Sequence, residues 1–271
     1  MNVLQKWVSI TAWLDTIYFF MIPAIMLYTG MSWGYALVAG VCLGAYQPTV
    51  TSYHELHHRK KSMRWFEKIP FYFGFSSYLL GIIDIVHREF HHKHANTKED
   101  ISHPMRDMNY YQNAFNYYFR YLHLTFNKNR LQVGGSILGF ILLGIFQYCV
   151  FGPAGLAFQI ATTLAHHWTV SCGNYCQHWG LEELNLPKAE KALHAWDNRG
   201  EFARYSFFNF HRHSGHHANA GTPAQDIVDN RDMIKNPYPL PLMMFMAHFP
   251  CLFRKVSAPR LEKYLVKHKT K

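Results

Sequence analysis

Residues 69–86 read Ile-Pro-Phe-Tyr-Phe-Gly-Phe-Ser-Ser-Tyr-Leu-Leu-Gly-Ile-Ile-Asp-Ile-Val, and the fold turns on whether this apolar stretch crosses a membrane. A spanning helix needs about 20 apolar residues, so the length is nearly sufficient. Its flanks argue otherwise. Histidines 54, 57 and 58 precede it, and histidines 87, 91 and 92 follow it directly. A crossing would put these two clusters on opposite faces of the membrane, where they cannot share one metal centre. The stretch is therefore expected to form an interfacial or re-entrant helix, partly buried in protein.

Moving outward, four other segments are long and apolar enough to cross. They run from about Trp7 to Tyr28 (with one charge, Asp15), Trp33 to Thr51, Val133 to Phe151 and Ala154 to Ser171. Residues 29–32 and the Gly152-Pro153 pair are the expected turns between them. The lone basic residue before the first run, Lys6, and the length of that run argue against a signal peptide. Nearly all Lys and Arg lie in segments 52–68, 87–132 and 172–271, so the positive-inside rule places those segments and both termini in the cytoplasm. The expected fold is an all-α, polytopic membrane bundle of about four spans plus the interfacial or re-entrant helix. A cytoplasmic helical cap, residues 172–271, completes a single domain covering residues 1–271. The aromatic run within 109–126 reads as an interfacial belt.

Composition agrees with this division. Of 271 residues, 49% are hydrophobic, 17% aromatic and only 16% charged, against about 25% charged in a typical soluble domain. The formal charge is +10. With no nucleic-acid motif beside it, that excess favours a membrane surface and an acidic protein partner. The cysteines (Cys42, Cys149, Cys172, Cys176 and Cys251) form no CxxC pair, which argues against a zinc ribbon or fused rubredoxin and suits reduced thiols.

The 19 histidines carry the chemistry. In His54-Glu55-Leu56-His57-His58, positions i and i+4 share a helix face, so His54 and His58 are expected to converge while His57 points elsewhere. In His87-Arg88-Glu89-Phe90-His91-His92, the same rule pairs His87 with His91 and turns His92 towards a second ion. Asn174-Tyr175-Cys176-Gln177-His178 offers one ligand, His178. In His211-Arg212-His213-Ser214-Gly215-His216-His217, the residues His213, His216 and His217 fit i, i+3 and i+4. Nine imidazoles carry too large a desolvation penalty to be gathered for packing alone, and imidazole suits iron, copper and zinc alike. His94, His103, His123, His248 and His268 are expected at surfaces or interfaces. His166, His167 and Asp15 lie inside apolar runs, where satisfaction by a neighbouring helix and a functional role are equally open.

The four motifs, in this order, resemble those of membrane alkane 1-monooxygenases and xylene monooxygenases, which belong to the desaturase-like di-iron superfamily. His194-Ala195-Trp196-Asp197-Asn198, Leu240-Pro241, the methionines at 243–246 and Pro259-Arg260 extend the likeness, which runs from about 50 to 260. The resemblance implies a non-haem di-iron centre held by His54, His58, His87, His91, His92, His178, His213, His216 and His217. It also implies O2 as co-substrate, rubredoxin or ferredoxin with its reductase as electron donor, and an apolar alkyl substrate taken from the lipid of the inner membrane. Hydroxylation of an unactivated, terminal C–H bond is the implied reaction. Desaturation or oxidative decarboxylation of a fatty acid is the rival within the same chemistry, and metal transport the rival outside it. Glu55, Glu89, Gln177, His194 and His211 are candidates to support ligand imidazoles, as are Glu99 and Asp100, for which a solvated loop is the alternative. This chain departs from the family pattern at Val86 (Glu), Phe90 (Gly), Gln177 (Glu), His211 (Gln) and Gly215 (Asp).

Overall fold

The computed structural model describes residues 3–97, 99–184, 193–198, 200, 206–228 and 232–269. Parts of the expected cap, including 185–192, 201–205 and 229–231, therefore lie outside the described residues. In chain order the helices are α1 (Val3–Thr29), α2 (Trp33–Gly44), α3 (Gln47–His58), α4 (Trp65–Ser77) and α5 (Leu80–Ile85). A π-helical turn, Val86–His91, follows, and then α6 (Tyr110–Lys128), α7 (Arg130–His178), α8 (His213–Ala218), α9 (Leu240–Ala247) and α10 (Pro250–Lys269). Among the described residues there is no strand, only one isolated bridge between Asp197 and Lys235. The chain divides into two compact units, Met1–Ile85 with Leu124–Val170 and Val86–His123 with Ser171–Lys271.

In the first unit, α1 and α7 are each long and apolar enough to cross a membrane. Both present apolar rows outward, including Ile10, Ile17, Met21 and Ile25 on α1 and Leu138, Ile141, Leu142 and Ile145 on α7. An aqueous surface would not tolerate so large a continuous patch. At 49 residues, α7 would measure about 74 Å if straight. It breaks instead at Gly152, whose φ of 67° and ψ of −163° suit glycine alone. The chain then folds back: Gln159 Nε2 donates to Phe140 O at 2.9 Å. The expected turn at Gly152-Pro153 is thus present.

The expected helix over 33–51 is corrected. It stops at Gly44 and restarts at Gln47. Pro48 supplies the reason, because its ring would clash with the carbonyl four residues back, that of Gly44 itself. Gly44 also meets α7 closely: a Cβ there would lie 2.1 Å from Thr162 O and 2.9 Å from the Ala165 Cβ. Gly44→Ala is expected to push α2 off α7 and destabilise the protein by about 1–3 kcal/mol, the usual scale of overpacking. Thermal melting in detergent checks this, and an unchanged midpoint would refute it.

Residues 69–86 do not form a straight rod. The run Trp65–Ser77 and the run Leu80–His94 are bent by 101°, through Leu79 at φ 54°. Buried polar groups nearby find helix partners. Asp15 accepts hydrogen bonds from the hydroxyls of Tyr53 (2.9 Å) and Tyr78 (2.7 Å). His166 stacks on Tyr78 at 4.5 Å, and His167 Nε2 donates to Tyr78 O at 2.7 Å. For Asp15 and His167, satisfaction by neighbouring elements is the reading these contacts support, whereas the buried His166 Nδ1 has no hydrogen-bond partner and both readings stay open for it.

The second unit is built on an aromatic core that includes Tyr110, Tyr175, Trp179, Trp196, Phe207 and Phe253, with Leu261 and Leu265 of α10 against it. The Trp196 indole donates to Trp179 O at 2.9 Å, which satisfies its polar edge inside the core. Residues 110–123 belong to this core through Tyr110 and Ala114, while Tyr111, Phe115 and Leu122 face outward.

Candidate metal centre

Val86–His91 is wound as a π-helix, whose bonds run from i to i+5 rather than i+4. Residues five apart therefore share a face, and His87 meets His92 edge-on, their Nε2 atoms 2.9 Å apart. His216 joins them, its Nε2 lying 3.0 Å from that of His92. His91 turns away from this trio. The expectation that His87 and His91 serve one ion and His92 another is thus corrected: His87 and His92 belong together, and His91 belongs elsewhere.

His91 meets His178, His213 and His217 in a second, fully buried group, with all four donor atoms within 4.8 Å of one another. The separations are 3.1 Å for His91 Nε2 to His217 Nε2, 2.8 Å for His178 Nε2 to His213 Nε2, and 3.2 Å for His217 Nε2 to His213 Nε2. The short helix α8 divides its histidines by register. His213 and His217, four apart, face this group, and His216 faces the other. Asp197 fastens the start of α8, accepting from Ser214 N at 2.7 Å and from Ser214 Oγ at 2.8 Å.

The outer nitrogens decide what the inner ones offer. His178 Nδ1 lies 2.8 Å from the carbonyl oxygen of His194. A carbonyl only accepts, so Nδ1 carries the proton and the Nε2 lone pair points inward. His91 Nδ1 lies 2.8 Å from Asp100 Oδ2. Burial alone would raise the Asp100 carboxyl, but His91, with His103 and Ser102, outweighs it and holds the group well below the usual carboxylate range. The ionised carboxylate accepts, so His91 likewise turns a bare Nε2 to the centre. Burial and the neighbouring imidazoles hold His217 well below the usual histidine value, hence neutral. Converging imidazole lone pairs in a buried pocket are a donor set for a transition-metal cation, so the residues present fit the iron that the family pattern implies.

Further bonds brace this frame. Ser102 Oγ donates to Asp100 Oδ1 at 2.6 Å, Asn174 Nδ2 to Ser102 O at 2.6 Å, and Asn96 Nδ2 to His194 O at 2.8 Å. Asp100 is 4% exposed, so the solvated-loop alternative for it does not hold. Ser102, Asn96 and Asp197 were not singled out as site residues by sequence reasoning. Ser102 and Asn96 lie near histidine motifs and Asp197 within the 194–198 stretch, but Asn174, His194 and Ser214, the partners that give them their roles, are remote in sequence. His103 is partly buried, with a side chain only 5% exposed, and its Nε2 lies 3.1 Å from Glu182 Oε2.

The candidate supports are placed as follows. Gln177 Nε2 donates to Phe210 O at 3.4 Å, a bond the family's Glu, an acceptor, would lose. His194 contributes its carbonyl, as described, and the carbonyl of His211 accepts from Asn198 N at 2.8 Å. Glu89 pairs with Lys93 at 2.6 Å, and Glu55 pairs with Arg59 at 3.1 Å. At Gly215, a Cβ would come within 2.8 Å of Val228 O and of Ile227 Cγ2. The family's Asp has no room there.

In the first unit, the His54 and His58 rings lie 4.7 Å apart, whereas His57 packs edge-on to Phe71 at 5.1 Å. The expected division of faces on α3 is thus present. His57→Ala should lower the melting temperature through lost packing yet leave metal content near wild type. Elemental analysis of the purified variant checks this, and metal loss as complete as in a ligand variant would show the facing argument wrong.

A family model for fatty acid desaturases matches residues 28–246. Among curated relatives, alkane 1-monooxygenase 1 of Pseudomonas aeruginosa is 26% identical over 249 residues, covering 85% of this chain and 64% of its own length. Alkane 1-monooxygenase of Ectopseudomonas oleovorans is 25% identical over 259 residues, with 85% and 62% covered. Alkane 1-monooxygenase 1 of Alcanivorax borkumensis is 30% identical over 118 residues, with 42% and 29% covered. The chain therefore spans less than two thirds of the length of these relatives. With its family match extending over most of the sequence and across all four histidine motifs, the chain belongs to the fatty acid desaturase family.

Proposed function

We propose that this protein is an integral-membrane, O2-dependent monooxygenase that hydroxylates an unactivated, terminal C–H bond of an alkane or alkyl chain at a di-iron centre. The observation that carries this reading is the buried group of His91, His178, His213 and His217, with two Nε2 lone pairs aimed inward by Asp100 and the His194 carbonyl. The second ion is assigned to His87, His92 and His216 together with His54 and His58, the last two on the strength of the motif order. Similarity to proteins named alkane 1-monooxygenase supports the substrate class.

Iron, when bound, supplies the redox chemistry with O2. The chain's own residues supply the rest. Asp100 holds the proton on His91 Nδ1, which keeps Nε2 free to coordinate. The His194 carbonyl does the same for His178, and Asp197 anchors the helix that presents His213, His216 and His217. Burial of the four-histidine group excludes water from reactive chemistry. The outward apolar rows of α1 and α7 offer a lipid-phase route for an alkyl substrate. In this reading residues 1–271 act as one domain, with α1, the broken α2–α3 run and the two arms of α7 as passes. Residues 69–86 are re-entrant, and the cap and both termini are cytoplasmic. A rubredoxin or ferredoxin with its reductase delivers the electrons.

Desaturation, or oxidative decarboxylation of a fatty acid to a terminal alkene, is the second reading, favoured by the family match itself. Labelled O2 separates the two. The purified, iron-loaded protein, given electrons and a panel of alkanes, alkylbenzenes and fatty acids, is expected to form an alcohol carrying one labelled oxygen. An unlabelled alkene as the sole product would overturn hydroxylation.

A further inference from the structure

Outside the histidine groups, the second unit carries a groove of about 340 Å³ between residues 232–235 and α10, lined by Lys235, Arg260, Lys263, Tyr264, Lys267 and Asp232 among others. Arg260, Lys263 and Lys267 are exposed. Among the described residues, the lining holds one acidic group, Asp232, which lies 3.8 Å from Lys267, while Glu262 on α10 pairs with Arg106. Positive charge therefore dominates this face. Such a patch attracts an acidic protein over long range and raises its encounter rate.

What singles out this groove is its connection inward. Tyr264, on its wall, donates from its hydroxyl to Leu193 O at 3.5 Å. The next residue is His194, whose own carbonyl accepts from His178 Nδ1 at 2.8 Å. Two hydrogen bonds and one peptide unit thus join the groove to a ligand imidazole. Packing is close along the same line. A Cβ on Gly180, two residues past His178, would lie 2.3 Å from Leu261 Cδ2 of α10. Trp179 meets the Phe253 ring of α10 at 5.4 Å.

We propose that this cationic groove is the docking surface for a small acidic one-electron carrier protein, and that electrons enter through Tyr264, Leu193 and His194 to His178. The proposal rests on the redox reading above and names the surface its donor uses. Each encounter oxidises the carrier by one electron and reduces one ligand-held ferric ion to ferrous, with no bond made or broken. Tyr264 is a positioning residue in this scheme.

The test uses the full chain in nanodiscs of neutral lipid, with an acidic rubredoxin as probe. Binding to the protein as purified is measured at low and high salt, and stopped-flow reduction of the iron-loaded protein by pre-reduced rubredoxin is followed separately. The double variant Lys263→Glu with Lys267→Glu is expected to weaken rubredoxin binding about tenfold or more and to flatten its salt dependence. Its iron content and its reduction by dithionite should match wild type. Tyr264→Phe should leave the Kd unchanged and slow carrier-driven reduction severalfold. Equal Kd values for wild type and the double variant overturn the docking surface. So does a variant that loses binding to anionic vesicles while keeping rubredoxin affinity, which marks the groove as a lipid contact. Wild-type reduction rates in Tyr264→Phe overturn the route. Failure to form labelled alcohol while carrier binding and its charge dependence persist counts against hydroxylation alone.

Discussion

The His213→Ala protein is expected to lose iron and all detectable turnover while keeping its helical content. His213 Nε2 stands 2.8 Å from that of His178 and 3.2 Å from that of His217, so its removal opens one side of a group of four. The remaining three imidazoles cannot close a buried site around a cation, and the lone pair of His178 is left without an electrophile. A buried site without its full ligand set binds metal weakly, because desolvation is still incurred and fewer bonds offset it. His91→Ala should behave alike, since it removes a member of the same group. Elemental analysis, Mössbauer spectra and far-ultraviolet circular dichroism on the same preparation check both variants. A folded His213→Ala protein holding two irons and turning over normally would sink the assignment of this group. His57→Ala, one turn of reasoning away on α3, is the control for a buried histidine that is not a ligand.

The second large effect belongs to a residue that touches no metal. Asp100→Asn is expected to weaken metal binding about 10- to 100-fold, the usual consequence of losing a carboxylate behind a ligating imidazole. The carboxylate only accepts, so it holds the proton of His91 on Nδ1. An amide of the same shape can present its NH2 instead. His91 then takes the other tautomer and turns Nε2–H towards the centre, where it cannot coordinate. Competition between the protein and a chelator measures the change. A pH signature accompanies it. The Asp100 carboxyl is held below its ordinary value, so the stability it contributes is complete above about pH 4 and is lost on acidification. Asp100→Asn should flatten that acid limb of the melting curve. Wild-type affinity and an unchanged acid limb in the variant would refute the role.

Much of this molecule was legible in its residues because the relevant rules are local. Apolar runs and the Gly152-Pro153 pair located α1 and the two arms of α7, since helix length and a glycine-only backbone conformation need no tertiary partner. Four histidine motifs marked the site, and on α3 the i, i+4 rule placed His54 with His58 and turned His57 to Phe71. Pro48 was also in view, and its clash with the carbonyl of Gly44 predicts the helix break that a smooth span from 33 to 51 overlooks.

The division of ligands between two groups was not legible. Reading 87–92 as an α-helix assumes 3.6 residues per turn, and the π-helix there rotates His91 and His92 into each other's expected places. A π-turn is locally unfavourable and is held by the packing around it, so no spacing rule within six residues announces it. Asp100 was weighed against a solvated loop for the same reason, because its partner His91 is reached by chain folding. His91, His103 and Ser102 keep the Asp100 carboxylate ionised against the effect of burial, and the carboxylate sets the tautomer of His91. The sequence by itself determined which elements are helical and which side chains carry the chemistry, because propensity, length and face are properties of neighbours along the chain. Only the tertiary structure decided which histidine faces which group and which carboxylate stands behind it, because those depend on contacts between segments that no local rule relates.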